Sequence, residues 1–550
     1  MGQPVRNVTI VGGGTAGWLA AVLLRKVLDD RVAITLIESP KIPTVGVGEA
    51  TVPNMPQTLK LLGISDQEFF RTCNASFKLG VVFSDWNTDR HGKFISYINP
   101  FSSAPQLQVY DWADFYRHFG AGQRDYVQSY SPLMDMVRAC KGPRMLNLPK
   151  TDSRLPYAFH LDAVKFAELL RGVGVERGVT HILDDVDGVD LDERGFIAAV
   201  KLRDHGRHPV ELVVDCTGFR SLILGDALKE PFVSYSKYLG NDRAMAVQIP
   251  HPHPEKLEPA TRSTALGAGW SWRVPLFNRI GTGYVFSSAH RSDDAARDEF
   301  LAHLGPAGKG AEPRIIPMRI GRARNAWVKN CVAIGLSGGF IEPLESTAIH
   351  MTDMGVRWLA THFPDTDYAK PLRRQYNKTV DALYNEVRDF ICLHYALNNR
   401  TDSQYWIDAR ESLDVPGRLA ALLELWAHRP PAHTDLETQY LFTTSTYNTV
   451  LLGKQVYQTG FGVKRPDSAI RLDRGAWMRA LDQTAKVNAA EVKRKADHRS
   501  LLRQLRGEAG PVRTPGATTL NQPTLGLPQA GGQPLPRSAK ELAENGAGLL

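Results

Sequence analysis

The chain has 550 residues, 43% of them hydrophobic and 23% charged, with a formal net charge of +8. That length allows two or three domains or one large composite, and the ordinary globular usage excludes a wholly disordered, collagen-like or coiled-coil chain. No run approaches the ~18 consecutive apolar residues of a membrane-spanning helix, and the short mixed hexapeptide before Asn7 lacks the apolar region of a signal peptide. Five scattered cysteines (Cys73, Cys140, Cys216, Cys331, Cys392) form no CxxC pair, which points to reduced thiols, a cytoplasmic setting and no metal site.

Residues Asn7 to Glu38 read as strand, glycine turn, helix and strand. The β-branched run ending at Val11 leads into Gly12-Gly13-Gly14-Thr15-Ala16-Gly17, and Glu38 closes the next strand 21 residues beyond Gly17. In such a turn Gly12 permits the tight bend, Gly14 lets the backbone approach a pyrophosphate, and Gly17 allows close helix–sheet packing. Thr15 and Ala16 open the helix, whose free N–H groups favour an anion, and the acid can accept from ribose hydroxyls. A later strand, Val210 to Asp215, runs into Cys216-Thr217-Gly218, and a third, from Cys331, ends at Gly335. There is no second GxGxxG for a nicotinamide nucleotide. The arrangement predicts FAD, with reduced flavin or electrons supplied from elsewhere.

Short β-like runs fill about 230–330. Beyond Thr352, apolar residues recur at helical spacing: Leu372, Tyr376, Val380, Leu383, Val387 and Phe390/Ile391. A basic run covers Lys486–Arg506, and the spacing of Arg499, Arg503 and Arg506 predicts one solvated helix face. With no aromatic residue interleaved, nucleic-acid binding is not expected. From Gly507 to Pro536 there are six glycines, six prolines and no aromatic residue, the composition of a disordered tail. The expected fold class is α/β. A Rossmann-like FAD-binding module (1–356) carries an added β-sheet (about 230–330), followed by a mostly helical subdomain (357–506) and a disordered tail (507–550).

Six motifs appear in one order. They are Gly46-Val47-Gly48-Glu49-Ala50-Thr51-Val52-Pro53; Ala75-Ser76-Phe77-Lys78 with Phe83-x-Asp85-Trp86; Asp215-Cys216-Thr217-Gly218-Phe219-Arg220-Ser221; Trp270-Ser271-Trp272-Arg273-Val274-Pro275; Gly339 to Thr347; and Glu386-Val387-Arg388-Asp389-Phe390-Ile391. Over about Val8 to Arg410 the chain resembles the flavin-dependent halogenases of the tryptophan halogenase family. The resemblance implies a cofactor site that includes Val47, Gly48, Glu49, Ala50, Asp215, Gly218 and Gly335. It also implies that reduced FAD and O2, as co-substrate, convert a halide (chloride or bromide) to hypohalous acid.

By the same resemblance Lys78 is the essential lysine that binds the hypohalous acid or carries the halogen, and Glu345 is the carboxylate that stabilises or deprotonates the arenium intermediate. The backbone N–H groups of Thr347 and Ala348 hold the halide. Trp270, Trp272 and Pro275 wall the flavin from the substrate chamber. A separate NAD(P)H-dependent flavin reductase is the implied partner, with neither membrane nor nucleic acid; a homodimer is left open. Glu345, Ser346 and Thr347 also read as a helix-start set capping backbone donors, a role compatible with the one the resemblance implies.

Departures bear on the substrate. Relatives acting on free tryptophan often carry His-Pro-Phe where this chain has Asn99-Pro100-Phe101, and they hold the amino-acid end with a glutamate in the C-terminal part. Between Glu437 and Asp467 this chain has no acid. Asn99, Phe101, Ser346 and Phe442 are therefore expected to line a pocket for an electron-rich indole (free, substituted or peptide-borne) rather than for the tryptophan zwitterion. The alternative activity is a two-component FAD-dependent aromatic monooxygenase, which leaves Lys78, the two tryptophans and Glu345 without a joint role.

Overall fold

The β-branched run Val8-Thr9-Ile10-Val11 forms the strand Asn7–Val11 inside a six-stranded sheet. Its order is Thr180–Leu183, Ala33–Glu38, Asn7–Val11, Leu212–Asp215, Cys331–Ala333 and Trp327–Val328, the first five parallel and the last antiparallel. Strands in such a sheet are covered on both faces, which explains their continuous apolar runs. The helix Thr15–Val27 is buried from Gly17 through Leu24, so it is apolar all round rather than amphipathic. In this computed structural model residues 2–42, 48–147, 155–459 and 472–508 are described. Val47 and the tail from 509 onward lie outside them, and the described residues belong to one compact unit.

The second large sheet has seven strands in the order Arg314–Pro317, Arg243–Ile249, Ile280–Phe286, Gly269–Pro275, Thr261–Leu266, Gly80–Thr88 and Phe94–Pro100. All pairs are antiparallel except Thr261–Leu266 with Gly80–Thr88. The sheet expected over about 230–330 is thus completed by two strands from residues 80–100, immediately after Lys78. A small sheet of Gly48–Ala50, Ala158–Asp162 and Ser76–Lys78 carries Lys78 at its edge. The C-terminal part is helical: Lys370–Ala396, Gln404–Glu411, Gly417–His428, Thr444–Gly453, Arg474–Arg494 and His498–Arg506. Tyr376, Leu383, Val387, Phe390 and Ile391 of the expected stripe are buried, while Leu372 and Val380 are half-buried. Among the described residues no helix is long and apolar enough to cross a membrane.

The basic C-terminal segment departs from the sequence expectation. It is two helices, and the second does not present a solvated arginine face. Arg499 and Arg506 are buried, both guanidinium groups lie over the Phe277 ring (5.0 and 4.0 Å to its centroid), and they donate to the carbonyls of Phe277 and Phe70. A guanidinium stacks on an aromatic face and donates to carbonyls, so charge spacing alone does not mark a surface. Arg503 alone behaves as expected: it is exposed, with Glu255 at 3.6 Å.

Arg506→Ala should therefore destabilise the protein by about 2 kcal/mol, whereas Arg503→Ala should stay within about 0.5 kcal/mol of wild type, as measured by urea denaturation. Equal effects would place both arginines on the surface.

Candidate functional site

The Asn7–Val11 strand delivers its glycine turn to the wall of a cavity of about 680 Å³. A Cβ on Gly17 would meet the carbonyl oxygen of Gly12 at 1.8 Å, so only glycine lets the helix start this close to the strand. A Cβ on Gly14 would meet nothing within 4 Å, which leaves that side of the turn open. No side chain caps the helix Thr15–Val27, so its first N–H groups stay available. Gly12, Gly14, Thr15, Ala16, Glu38, Gly48, Glu49, Ala50, Gly218 and Gly335 all line this cavity. Glu38 accepts from Trp18 Nε1 (3.3 Å) and pairs with His181 Nε2 (3.0 Å). Burial pushes the Glu49 carboxyl up to about 7.

Two expected cofactor residues stand behind the wall. Gly17 packs against the turn, and Asp215 does not reach the cavity. The fully buried Asp215 carboxylate accepts from the N–H groups of Thr217, Ile223 and Leu224 and from the Thr217 hydroxyl. It is a backbone-shaping acid that fixes the loop through Gly218.

Lys78 is fully buried on the strand Ser76–Lys78. Its Nζ donates to the Thr51 carbonyl at 3.1 Å and lies 5.3 Å from the Phe101 ring centroid. No ion pair within 4 Å joins it to Glu345. Burial lowers its pKa to about 7, opposed by the Glu345 charge. The strand is pinned on both sides. Ser76 Oγ lies within hydrogen-bond distance of His160 Nδ1 (3.1 Å) and donates to the Pro275 carbonyl (2.5 Å). The Phe77 N–H donates to Nε2 of His498, 421 residues away, whose Nδ1 is bonded to the Leu257 carbonyl.

Glu345 is also buried, and its Oε1 accepts from Asn99 Nδ2 (3.0 Å) and His394 Nε2 (3.1 Å). His394 Nδ1 meets the Tyr97 hydroxyl at 3.1 Å, and its ring stacks on Phe83. The next residue, Ser346, has φ of 62°, the left-handed region that a serine seldom adopts. Through this bend Ser346, Thr347 and Ala348 line the large cavity, whereas Glu345 does not. The N–H groups of Thr347 and Ala348 make no hydrogen bond among the described residues, and the helix Ala348–Thr361 has no side-chain cap. The expected side-chain capping of this helix start is thus not made.

Trp272 lines the cavity, while Trp270 and Pro275 do not. A Cβ on Gly283 would fall 2.0 Å from the Trp272 ring, so the neighbouring strand carries glycine beneath that indole. Trp270 is held from behind, its Nε1 donating to Glu342 Oε2 at 2.8 Å. Phe442 is buried and stacks on Phe390 (3.9 Å), whose ring packs edge-on against His394, and the Phe442 N–H is taken by Glu386. Sequence reasoning did not find His394 and His498. Each is a lone histidine on an apolar helix face, without a local signal. Among the described residues no three His, Cys, Asp or Glu side chains group to hold a metal.

The tryptophan halogenase family model matches residues 7–461. The chain belongs to the tryptophan halogenase family. It is 37% identical over 488 residues to the 7-chloro-L-tryptophan 6-halogenase KtzR of Kutzneria sp. strain 744, covering 84% of this chain and 92% of that one. The tryptophan 6-halogenase SttH of Streptomyces toxytricini superposes with a TM-score of 0.85 at 35% identity, covering 92% and 100% of the two chains. BrvH, a flavin-dependent halogenase from Brevundimonas sp. BAL3, gives a TM-score of 0.82 at 35% identity over 91% and 99%. The protein is a flavin-dependent halogenase with an α/β fold.

Four buried histidines bear on the stability of the protein in acid. Burial lowers the pKa of His160, His350, His394 and His498, to about 4 for His350 and His498. The unfolded chain takes up these protons at about 6.5, so stability should fall as pH drops from about 6.5 towards 4. His498→Gln keeps an acceptor for Phe77 and removes one titration. It should lose less stability than wild type between pH 7 and pH 5 in urea denaturation; an equal loss would contradict a neutral His498.

Proposed function

We propose that this halogenase uses reduced FAD, O2 and chloride or bromide to make hypohalous acid, which Lys78 and Glu345 turn on the carbon of an indole ring. The observation that carries this reading is a lysine and a glutamate buried near one another without an ion pair, behind a cavity wall that includes Trp272 and Ser346–Ala348. A structural pair would close to contact distance, because an isolated buried charge is costly.

The cavity fits FAD: the open side of Gly14 and the uncapped helix suit a pyrophosphate, and Glu38 suits a ribose. Reduced flavin with O2 supplies the oxidising equivalents for halide oxidation. The free N–H groups of Thr347 and Ala348 are donors suited to a halide at the cavity wall. With one dinucleotide fingerprint in the sequence, reduced flavin would come from a separate NAD(P)H-dependent reductase.

In the second step the ring carbon attacks the halogen, the O–X bond breaks, and the departing hydroxide takes a proton from the Lys78 ammonium to leave as water. With a pKa of about 7, Lys78 gives up that proton readily at neutral pH. The Glu345 carboxylate then takes the proton from the halogenated carbon. The sum is arene plus hypohalous acid to haloarene plus water. An indole substrate is supported by the relatives named as tryptophan halogenases. Free tryptophan is disfavoured because Glu386, the acid that meets residues 440–442, is occupied by three backbone N–H groups.

With FAD, NADH, a free flavin reductase, bromide and indole, the protein should yield a product with the mass of bromoindole. Lys78→Ala should abolish it at unchanged FAD occupancy. Wild-type yield from Lys78→Ala would overturn the role given to this lysine, and the absence of any brominated product from wild type would overturn the substrate reading.

A further inference from the structure

Asn99 lies near the end of the strand Phe94–Pro100 and is only 7% exposed. Its bond to Glu345 decides which way the amide faces. A carboxylate accepts hydrogen bonds and cannot donate them, so Nδ2 must meet Glu345 and Oδ1 must face elsewhere. That Oδ1 is buried and has no hydrogen-bond partner. Buried amide oxygens are almost always satisfied, because an unmade bond forfeits the hydration lost on burial. Two residues on, the Phe101 ring packs against Lys78 Nζ. The orphaned acceptor therefore belongs to a residue that touches one reacting group and stands two positions from the ring against the other.

Resting on the halogenase reading above, we infer that Asn99 Oδ1 accepts a hydrogen bond from the ring N–H of the substrate, so that Asn99 selects N–H heteroaromatics over aromatics lacking this donor. The chemistry favours such a contact. When an indole carbon attacks an electrophile, the nitrogen lone pair feeds the ring and positive charge grows on N–H. An acceptor already aimed there binds the charged intermediate more strongly than the ground state. Selection and rate then come from the same oxygen. Glu345 keeps its second donor, His394, so the role of Asn99 is separable from positioning of the carboxylate.

The test is calorimetric binding of indole, 2-methylindole and 1-methylindole to the purified protein. The two methyl isomers match in size, and only 1-methylindole lacks the N–H. Wild type should bind 1-methylindole at least about 10-fold more weakly than 2-methylindole. Asn99→Leu, of similar volume and with its folding checked by thermal melting, should bind the two within about threefold. Equal binding of the isomers by wild type, or a 10-fold preference kept by Asn99→Leu, would overturn the inference. The wild-type series decides the matter even where the variant does not fold. Bromide-dependent turnover in the same preparation reports separately on the halogenase reading: a clear N–H preference without a brominated product would sink that reading and leave the assignment of Asn99 standing.

Discussion

The site depends on one constraint, a lysine enclosed entirely by protein with a backbone carbonyl as its hydrogen-bond acceptor and no carboxylate at contact distance. Holding Lys78 at a pKa of about 7 rather than 10.5 costs the folded state roughly 4 kcal/mol at neutral pH. Unbraced, the side chain would swing to water or collapse onto Glu345. The surrounding bonds prevent this. Ser76 and Phe77 are tied to His160, Pro275 and His498, and Glu345 is tied to Asn99 and His394. The charges are thus kept close and apart by neutral donors and acceptors, the arrangement that the proposed reaction would use.

The bend at Ser346 divides the work between two sides of one loop. Residues 346–348 turn unpaired backbone donors towards the large cavity, while Glu345 turns its carboxylate to the network of Asn99 and His394. Trp272, bedded on Gly283, belongs to the cavity wall, and Trp270 stiffens it from behind through Glu342. Glu342 is itself buried, with its pKa raised by burial despite three donors, so the wall rests on a second fully enclosed acid.

What was legible in the sequence was local. The glycine fingerprint with Glu38, the helical stripe of residues 376–391 and each of the six motifs can be read because each lies within one short segment. What was not legible depends on partners far along the chain. His498 supports the lysine strand from 421 residues away. Arg499 and Arg506 follow the spacing of a solvated face yet stack on Phe277, because a guanidinium can be buried on a ring. Asp215 sits in a nucleotide-site motif but spends its carboxylate on its own loop.

The central claim is that Lys78 is desolvated and unpaired in the folded protein. It is tested most directly by following the titration of its side chain by NMR with isotopically labelled lysine, its resonance assigned by absence from Lys78→Met. A midpoint near 7 is expected; a midpoint at or above the ordinary lysine value of about 10.4 would show a hydrated or ion-paired group and contradict the account.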